Sequence, residues 1–161
     1  MICCFTGHRH IEKDRAALSA ALDRCIADLY AGGYTAFRTG GARGFDTLAA
    51  LRVLHFKQEH PDCRLVLILP CRDQARGWPQ GERTLWERIL AEADEHRFIE
   101  ETYTPACMHL RNRALVEGSD CCVAYLRENR GGTLYTCSYA LKSGLRFINL
   151  GETNIKREVT T

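Results

Sequence analysis

Short apolar runs alternate with longer stretches of helical periodicity along nearly the whole chain. Ile2 to Thr6 is a run of strand length. Leu18, Leu22, Cys25, Ile26 and Leu29 then recur at helical spacing and stop at Gly32-Gly33, a C-terminal capping signal. Tyr34 to Thr39 predicts a second strand, Gly40 to Gly44 a tight turn, and Phe45, Leu48, Ala49, Val53 and Phe56 the buried stripe of a helix closed by Pro61. Leu65 to Leu69 is the clearest buried strand, expected to stop at Pro70, and Asp73 to Gly81 has the composition of an irregular loop. A helix through Leu85, Trp86, Ile89, Leu90 and Ala93 and a weak strand at a sheet edge, Arg97 to Glu101, follow. Met108 to Glu117 predicts a helix, Cys121 to Leu126 a strand, Gly131 to Lys142 the last helix and Arg146 to Leu150 the last strand.

Strands separated by helices of this length imply right-handed parallel crossovers. The expected fold class is therefore α/β, a three-layer α/β/α sandwich with a mainly parallel Rossmann-like sheet over residues 1–150. A polar tail is expected over 151–161. Such sheets bind ligands at the carboxyl ends of their strands, where strand order reverses.

Composition narrows the class. The 161 residues are 45% hydrophobic and 26% charged, which fits one globular domain. No apolar run is long enough to span a bilayer, so no membrane partner is expected. Ile-Cys-Cys-Phe follows Met1 directly, without the basic region of a secretory signal. The nine cysteines contain no Cys-x-x-Cys pair, and Cys3, Cys4, Cys121 and Cys122 lie in apolar runs. Reduced, structural cysteines, a cytoplasmic location and no metal site are the expectation. A formal net charge of +2 argues against nucleic acid as a partner. The cations are nevertheless skewed, 18 Arg to 4 Lys, toward the side chain whose planar fork suits phosphate.

Four blocks carry candidate chemistry. In Thr6-Gly7-His8-Arg9, Gly7 permits a sharp turn while His8 and Arg9 are expected to project donors at the ligand edge. Gly40, Gly41, Ala42, Arg43 and Gly44 lead into Asp46, and three glycines before a helix N-terminus permit a backbone nest for an anion. Asp46 either caps that helix, holds a ribose hydroxyl or orients a neighbouring donor. Arg111 and Asn112 sit on the next candidate helix. Spaced three residues from Met108 and four from Leu115, Arg111 falls near the buried stripe, where it needs a fixed anionic partner. Gly131, Gly132 and Thr133 repeat the strand-to-helix turn, with Thr133 able to cap the helix or bond a phosphate.

Gly-x-Gly-x-x-Gly after the first strand, Gly-x-x-x-x-Gly-Lys-Ser/Thr and Gly-x-Ser-x-Gly are all missing. Ordinary dinucleotide-dependent dehydrogenases, P-loop ATPases and nucleophile-elbow hydrolases are thereby disfavoured.

Phe5 to Arg9, Gly40 to Asp46, Arg111 to Arg113 with Ser119-Asp120, and Gly131 to Thr133, in this order, resemble the SLOG superfamily. That Rossmann-like group contains Lonely Guy and DprA/Smf proteins, and the chain is most similar to its small bacterial YpsA-like/YoqJ-like branch of unknown function. The resemblance covers about residues 2–150. It implies a nucleotide-derived ligand over the glycine loops, and often self-association to a homo-oligomer. Met108 to Arg111 also resembles the block that carries the catalytic Arg of Lonely Guy phosphoribohydrolases, but the position of their catalytic Glu falls on Thr136. Thr cannot act as a carboxylate base, so Arg111 with Asp46 is the catalytic candidate pair that remains.

Three functions compete. The first is binding or sensing of a nucleotide-type ligand such as AMP, ADP-ribose or NAD, with no required cofactor. The second is hydrolysis of a nucleotide's glycosidic or phosphate bond, and the third is DprA-like binding of nucleic acid.

Overall fold

The computed structural model describes residues 1–11 and 15–151. Eleven elements alternate strictly along it. They are β1 (Ile2–Gly7), α1 (Arg15–Ala31), β2 (Ala36–Thr39), α2 (Phe45–Lys57), β3 (Arg64–Cys71), α3 (Gln80–Glu92), β4 (Glu95–Glu100), α4 (Cys107–Val116), β5 (Cys121–Tyr125), α5 (Gly131–Lys142) and β6 (Arg146–Asn149). The strands form one sheet in the order β4-β3-β2-β1-β5-β6, and every pairing is parallel. The chain winds outward from β1 to the β4 edge, returns through α4 to β5 beside β1, and continues outward to β6. Crossovers of one hand, travelling in opposite directions, must place their helices on opposite faces. Accordingly α1, α2 and α3 cover one face, and α4 and α5 the other. The order reverses between β1 and β5.

Alternation along the strands builds the two core layers. Cys3, Phe5, Leu65, Leu67, Leu69, Cys121 and Val123 pack beneath α1 to α3. Cys4, Val66, Ile68 and Cys122 pack beneath α4 and α5. Burial on both faces explains why the central strands read as continuous apolar runs. Leu18, Leu22, Ile26 and Leu29 form the buried stripe of α1. Eight of the nine cysteines are buried, all nine are free, and Cys25 is half-buried.

Several boundaries differ from the sequence pattern, mostly by one residue, and β4 starts at Glu95 rather than Arg97. β3 does not stop at Pro70 but continues to Cys71. Its neighbour β2 ends at Thr39, opposite Leu67, so Pro70 is flanked only by β4, where its missing donor is tolerated. β2 begins at Ala36 rather than Tyr34, and Gly81 lies inside α3 rather than in the loop. β4 is an edge strand, as expected. Of the predicted polar tail, all but Gly151 lies outside the described residues. No helix among the described residues is long and apolar enough to cross a membrane.

Candidate functional site

A cavity of about 560 Å³ opens where β1 and β5 part, at the carboxyl edge of the sheet. Backbone bonds set its frame. The His8 amide donates to the Tyr125 carbonyl at the end of β5 (3.2 Å), and the Phe45 amide at the start of α2 donates to the His8 carbonyl (3.2 Å). The chain after β1 is thus stitched to both neighbours. Gly7, His8 and Arg9 form one wall. Ala42 and Asp46 come from the turn into α2, Arg111 and Asn112 from α4, and Gly131, Gly132 and Thr133 from the start of α5.

Arg111 is the centre of this arrangement. Its residue is only 6% exposed. Its Nε donates to Asn112 Oδ1 (2.8 Å), and its Nη1 donates to the Gly40 carbonyl. Gly40 approaches so closely that a Cβ there would lie 2.8 Å from Arg111 Cζ and 3.0 Å from Asp46 Oδ2. Asp46 is likewise buried, and its Oδ2 accepts the Ala42 amide at 3.3 Å. Burial pushes the Asp46 carboxyl up to about 6, while Arg111 and the amides of Ala42 and Gly40 pull it back down. Burial also pulls Arg111 below its ordinary range, and Asp46 opposes that shift. A cation and a carboxyl therefore share one desolvated wall of the cavity, each held by backbone.

The amino end of α5 forms a further part of the wall, with Gly132 close beside Asn112. Arg130 occupies its capping position in an extended conformation, and no side chain caps the helix. The leading amides, which have no intrahelical acceptor, are presented at the cavity through Gly131, Gly132 and Thr133. Thr133 lines the cavity without capping the helix. Thr136, at the position of the Lonely Guy carboxylate, is 1% exposed and donates to the Gly132 carbonyl at 2.8 Å, so it belongs to the helix interior. Among the described residues the carboxyl groups on the wall are Asp46 and Glu128, and Glu128 is paired with Arg130.

Several sequence expectations change here. His8 does not simply project a donor: its Nε2 accepts the amides of Arg127 (2.9 Å) and Glu128 (3.2 Å), which fixes that nitrogen as unprotonated. Asp46 does not cap α2, whose capping residue is Gly44 without a side-chain bond. Of the glycine turn after β2, Ala42 reaches the cavity wall, whereas Gly40, Gly41, Arg43 and Gly44 do not line it. Gly41 packs on Leu69. Gly44 has φ of 77°, and a Cβ there would lie 2.5 Å from the Arg9 carbonyl carbon. These glycines serve close packing of the turn rather than an open nest.

Arg43 is displaced to a second cavity, pairing with Glu82. Ser119 and Asp120 lie at the opposite, amino end of the strands: Asp120 Oδ2 accepts the Ile2 amide at 2.7 Å. Arg127, Glu128 and Arg130 also line the cavity and are not foreseen from the sequence. Their only signal was nearness to Gly131 on the segment between β5 and α5. Among the described residues no group of histidine, cysteine and acidic side chains is placed to hold a metal ion.

Fold and cleft together define a Rossmann-like α/β protein with an arginine-lined cleft at its topological switch point. The chain matches the YpsA family model, described as the YspA SLOG family, over residues 3–146, and it belongs to that family. It is 30% identical over 121 residues to the uncharacterized SPbeta prophage-derived protein YoqJ of Bacillus subtilis, covering 68% of this chain and 71% of that one. A UPF0398 protein of Bacillus anthracis is 29% identical over 130 residues, covering 79% and 71%. Two solved structures share the fold. DNA processing protein A (DprA) of Streptococcus pneumoniae superposes with a TM-score of 0.68 at 16% identity, over 96% of this chain and 51% of that one. DprA of Helicobacter pylori, whose structure addresses its single-stranded DNA binding mode, superposes with a TM-score of 0.65 at 15% identity, over 92% and 64%. This chain thus spans about half to two thirds of those proteins.

Proposed function

We propose that the protein binds a phosphate-bearing nucleotide-type ligand in the cleft between β1 and β5. The supporting observation is a buried guanidinium, Arg111, sharing one cavity with the uncapped amino end of α5. A phosphate there meets a planar cationic donor together with backbone amides and a favourable helix dipole. Arg9 and Arg127, which line the same cavity, add charge. Calorimetry with AMP, ADP-ribose and NAD tests the reading, with thermal unfolding in parallel. A ligand at a hundred times its dissociation constant adds about 2.7 kcal/mol of stability. Arg111→Ala is expected to weaken binding at least about tenfold, given that hydrogen bonds to a charged group contribute about 1.5–3 kcal/mol. Absence of binding to every nucleotide at millimolar concentration overturns the proposal.

Single-stranded nucleic acid is the second reading. The net charge of +2 describes the whole chain, whereas Arg9, Arg127 and Arg130 are gathered at one cleft. A local arginine cluster outweighs bulk charge in recognising a phosphate backbone, and the H. pylori DprA that shares this fold is described by its single-stranded DNA binding mode. Strand binding that falls steeply between low and physiological salt favours this reading. Among the described lining residues, a hydrolytic role would find a carboxyl at Asp46 or Glu128 and an imidazole at His10. Release of free base or ribose phosphate, lost in Arg111→Ala, would reveal it.

A further inference from the structure

A second cavity, of about 410 Å³, adjoins the first, and the two share Arg9, Ala42 and Met108 as common wall. Its character is different. Trp78 from the β3–α3 segment and Tyr103 from the β4–α4 segment line it, with Arg43 and Arg76. Tyr103 is 64% exposed, so core packing does not account for its ring. Trp78 is half-buried, and the Arg43 guanidinium carbon stands 6.0 Å from its ring centre, at the outer limit of a cation–π contact.

The segment that carries Trp78 is anchored. Gln74 Nε2 donates to the Gly40 carbonyl (3.3 Å), while its Oε1 accepts Trp86 Nε1 (3.2 Å). Asp73 Oδ1 accepts the Tyr103 amide (3.0 Å), which ties the two aromatic-bearing segments together. Ala75 is buried, and its carbonyl accepts the Trp78 amide (3.1 Å). The backbone carrying a half-buried and an exposed aromatic side chain is therefore anchored beside a cationic cleft, with little backbone ordering left to lose on binding.

We infer that this second cavity is a nucleobase subsite: it takes a flat aromatic ring against Trp78 and Tyr103 while the attached phosphate occupies the cleft at Arg111. The inference rests on the phosphate reading of the first cavity and adds the base as an independent determinant. Stacking of a base on an aromatic side chain tolerates any base, so the subsite selects for a nucleoside moiety rather than for one sequence. A free nucleotide and a base of a single strand share this chemistry.

Calorimetry of AMP against ribose 5-phosphate separates base from phosphate. AMP is expected to bind about tenfold more tightly, the scale of one base–aromatic stack. Trp78→Ala should abolish that advantage and leave ribose 5-phosphate unchanged, Trp78→Phe should preserve most of it, and Tyr103→Ala should reduce it. AMP should also quench tryptophan emission in the wild type but not in Trp78→Phe. Equal affinities for the two ligands, or loss of both alike in Trp78→Ala, overturn the base subsite while leaving the phosphate site standing. Failure of both ligands to bind the wild type overturns the phosphate reading and this one with it. A short oligothymidylate strand forms the last arm. Its competition with AMP, weakened by Trp78→Ala, assigns the base to a strand; AMP binding without competition assigns it to a free nucleotide, and either result supports the subsite.

Discussion

Replacing Asp46 by asparagine should change the pH dependence of stability in a direction fixed by the site. The Asp46 carboxyl is buried, and its pKa rises from the ordinary 3.8 to about 6. A carboxyl whose pKa is higher in the folded than in the unfolded chain binds its proton more tightly when folded. Its stabilising contribution is complete below the unfolded value of 3.8 and is lost as pH rises through about 6. The gap between the two values corresponds to about 3 kcal/mol. The carboxamide of Asp46→Asn never ionises and keeps an oxygen to accept the Ala42 amide, so the variant escapes that loss. Removing the countercharge of Arg111 adds an offset that does not vary with pH in this window. Urea unfolding of both proteins from pH 4 to pH 7 isolates the effect, because other titrating groups cancel in the difference. The difference in unfolding free energy should move in favour of the Asp46→Asn variant by about 2–3 kcal/mol across that window. A flat difference, or one moving toward the wild type, refutes the claim that burial dominates the surroundings of this carboxyl.

Other outcomes follow from the same geometry. Gly44→Ala should cost about 3 kcal/mol or more, combining a left-handed backbone with backbone overlap at Arg9, whereas Gly131→Ala, with φ of 75° but open space around its Cβ, should cost only about 1 kcal/mol. Urea titrations of the two variants should differ accordingly. Arg111→Leu should destabilise by about 3 kcal/mol at neutral pH, because it leaves Asp46 buried without its cation. Arg111→Lys should not restore ligand binding, since an ammonium cannot reproduce the paired contacts to Asn112 and Gly40. A thiol reagent should modify at most one cysteine, Cys25, in the folded protein and all nine in denaturant.

The fold was legible in the sequence because its central strands are buried on two faces and its helices on one, so short continuous apolar runs bounded by glycine or proline separate from longer stretches of 3.6-residue period. Leu65 to Leu69 was unmistakable, but its continuation through Pro70 depends on where β2 ends, a fact of the neighbouring strand. The site was legible in part. Gly7, His8, Arg9, Asp46, Arg111 and Gly131 to Thr133 converge on one cleft because all but Arg111 lie at or just beyond the ends of β1, β2 and β5, which the sheet aligns, and α4 swings Arg111 in from beneath. The glycines of the turn after β2 misled. A glycine required because Arg9 passes close by looks, in sequence, identical to one opening a nest for an anion. The acceptor role of His8 was hidden too, since it depends on two amides about 120 residues away along the chain. Trp78 and Tyr103 carry no periodic signal, and only the adjacency of the two cavities gives them meaning.

A crystal structure of the protein soaked with AMP tests the central claim most directly. The account predicts a phosphate group within hydrogen-bonding distance of Arg111 and of the leading amides of α5, between β1 and β5. An AMP molecule bound elsewhere, with that cleft vacant at saturating concentration, would contradict it.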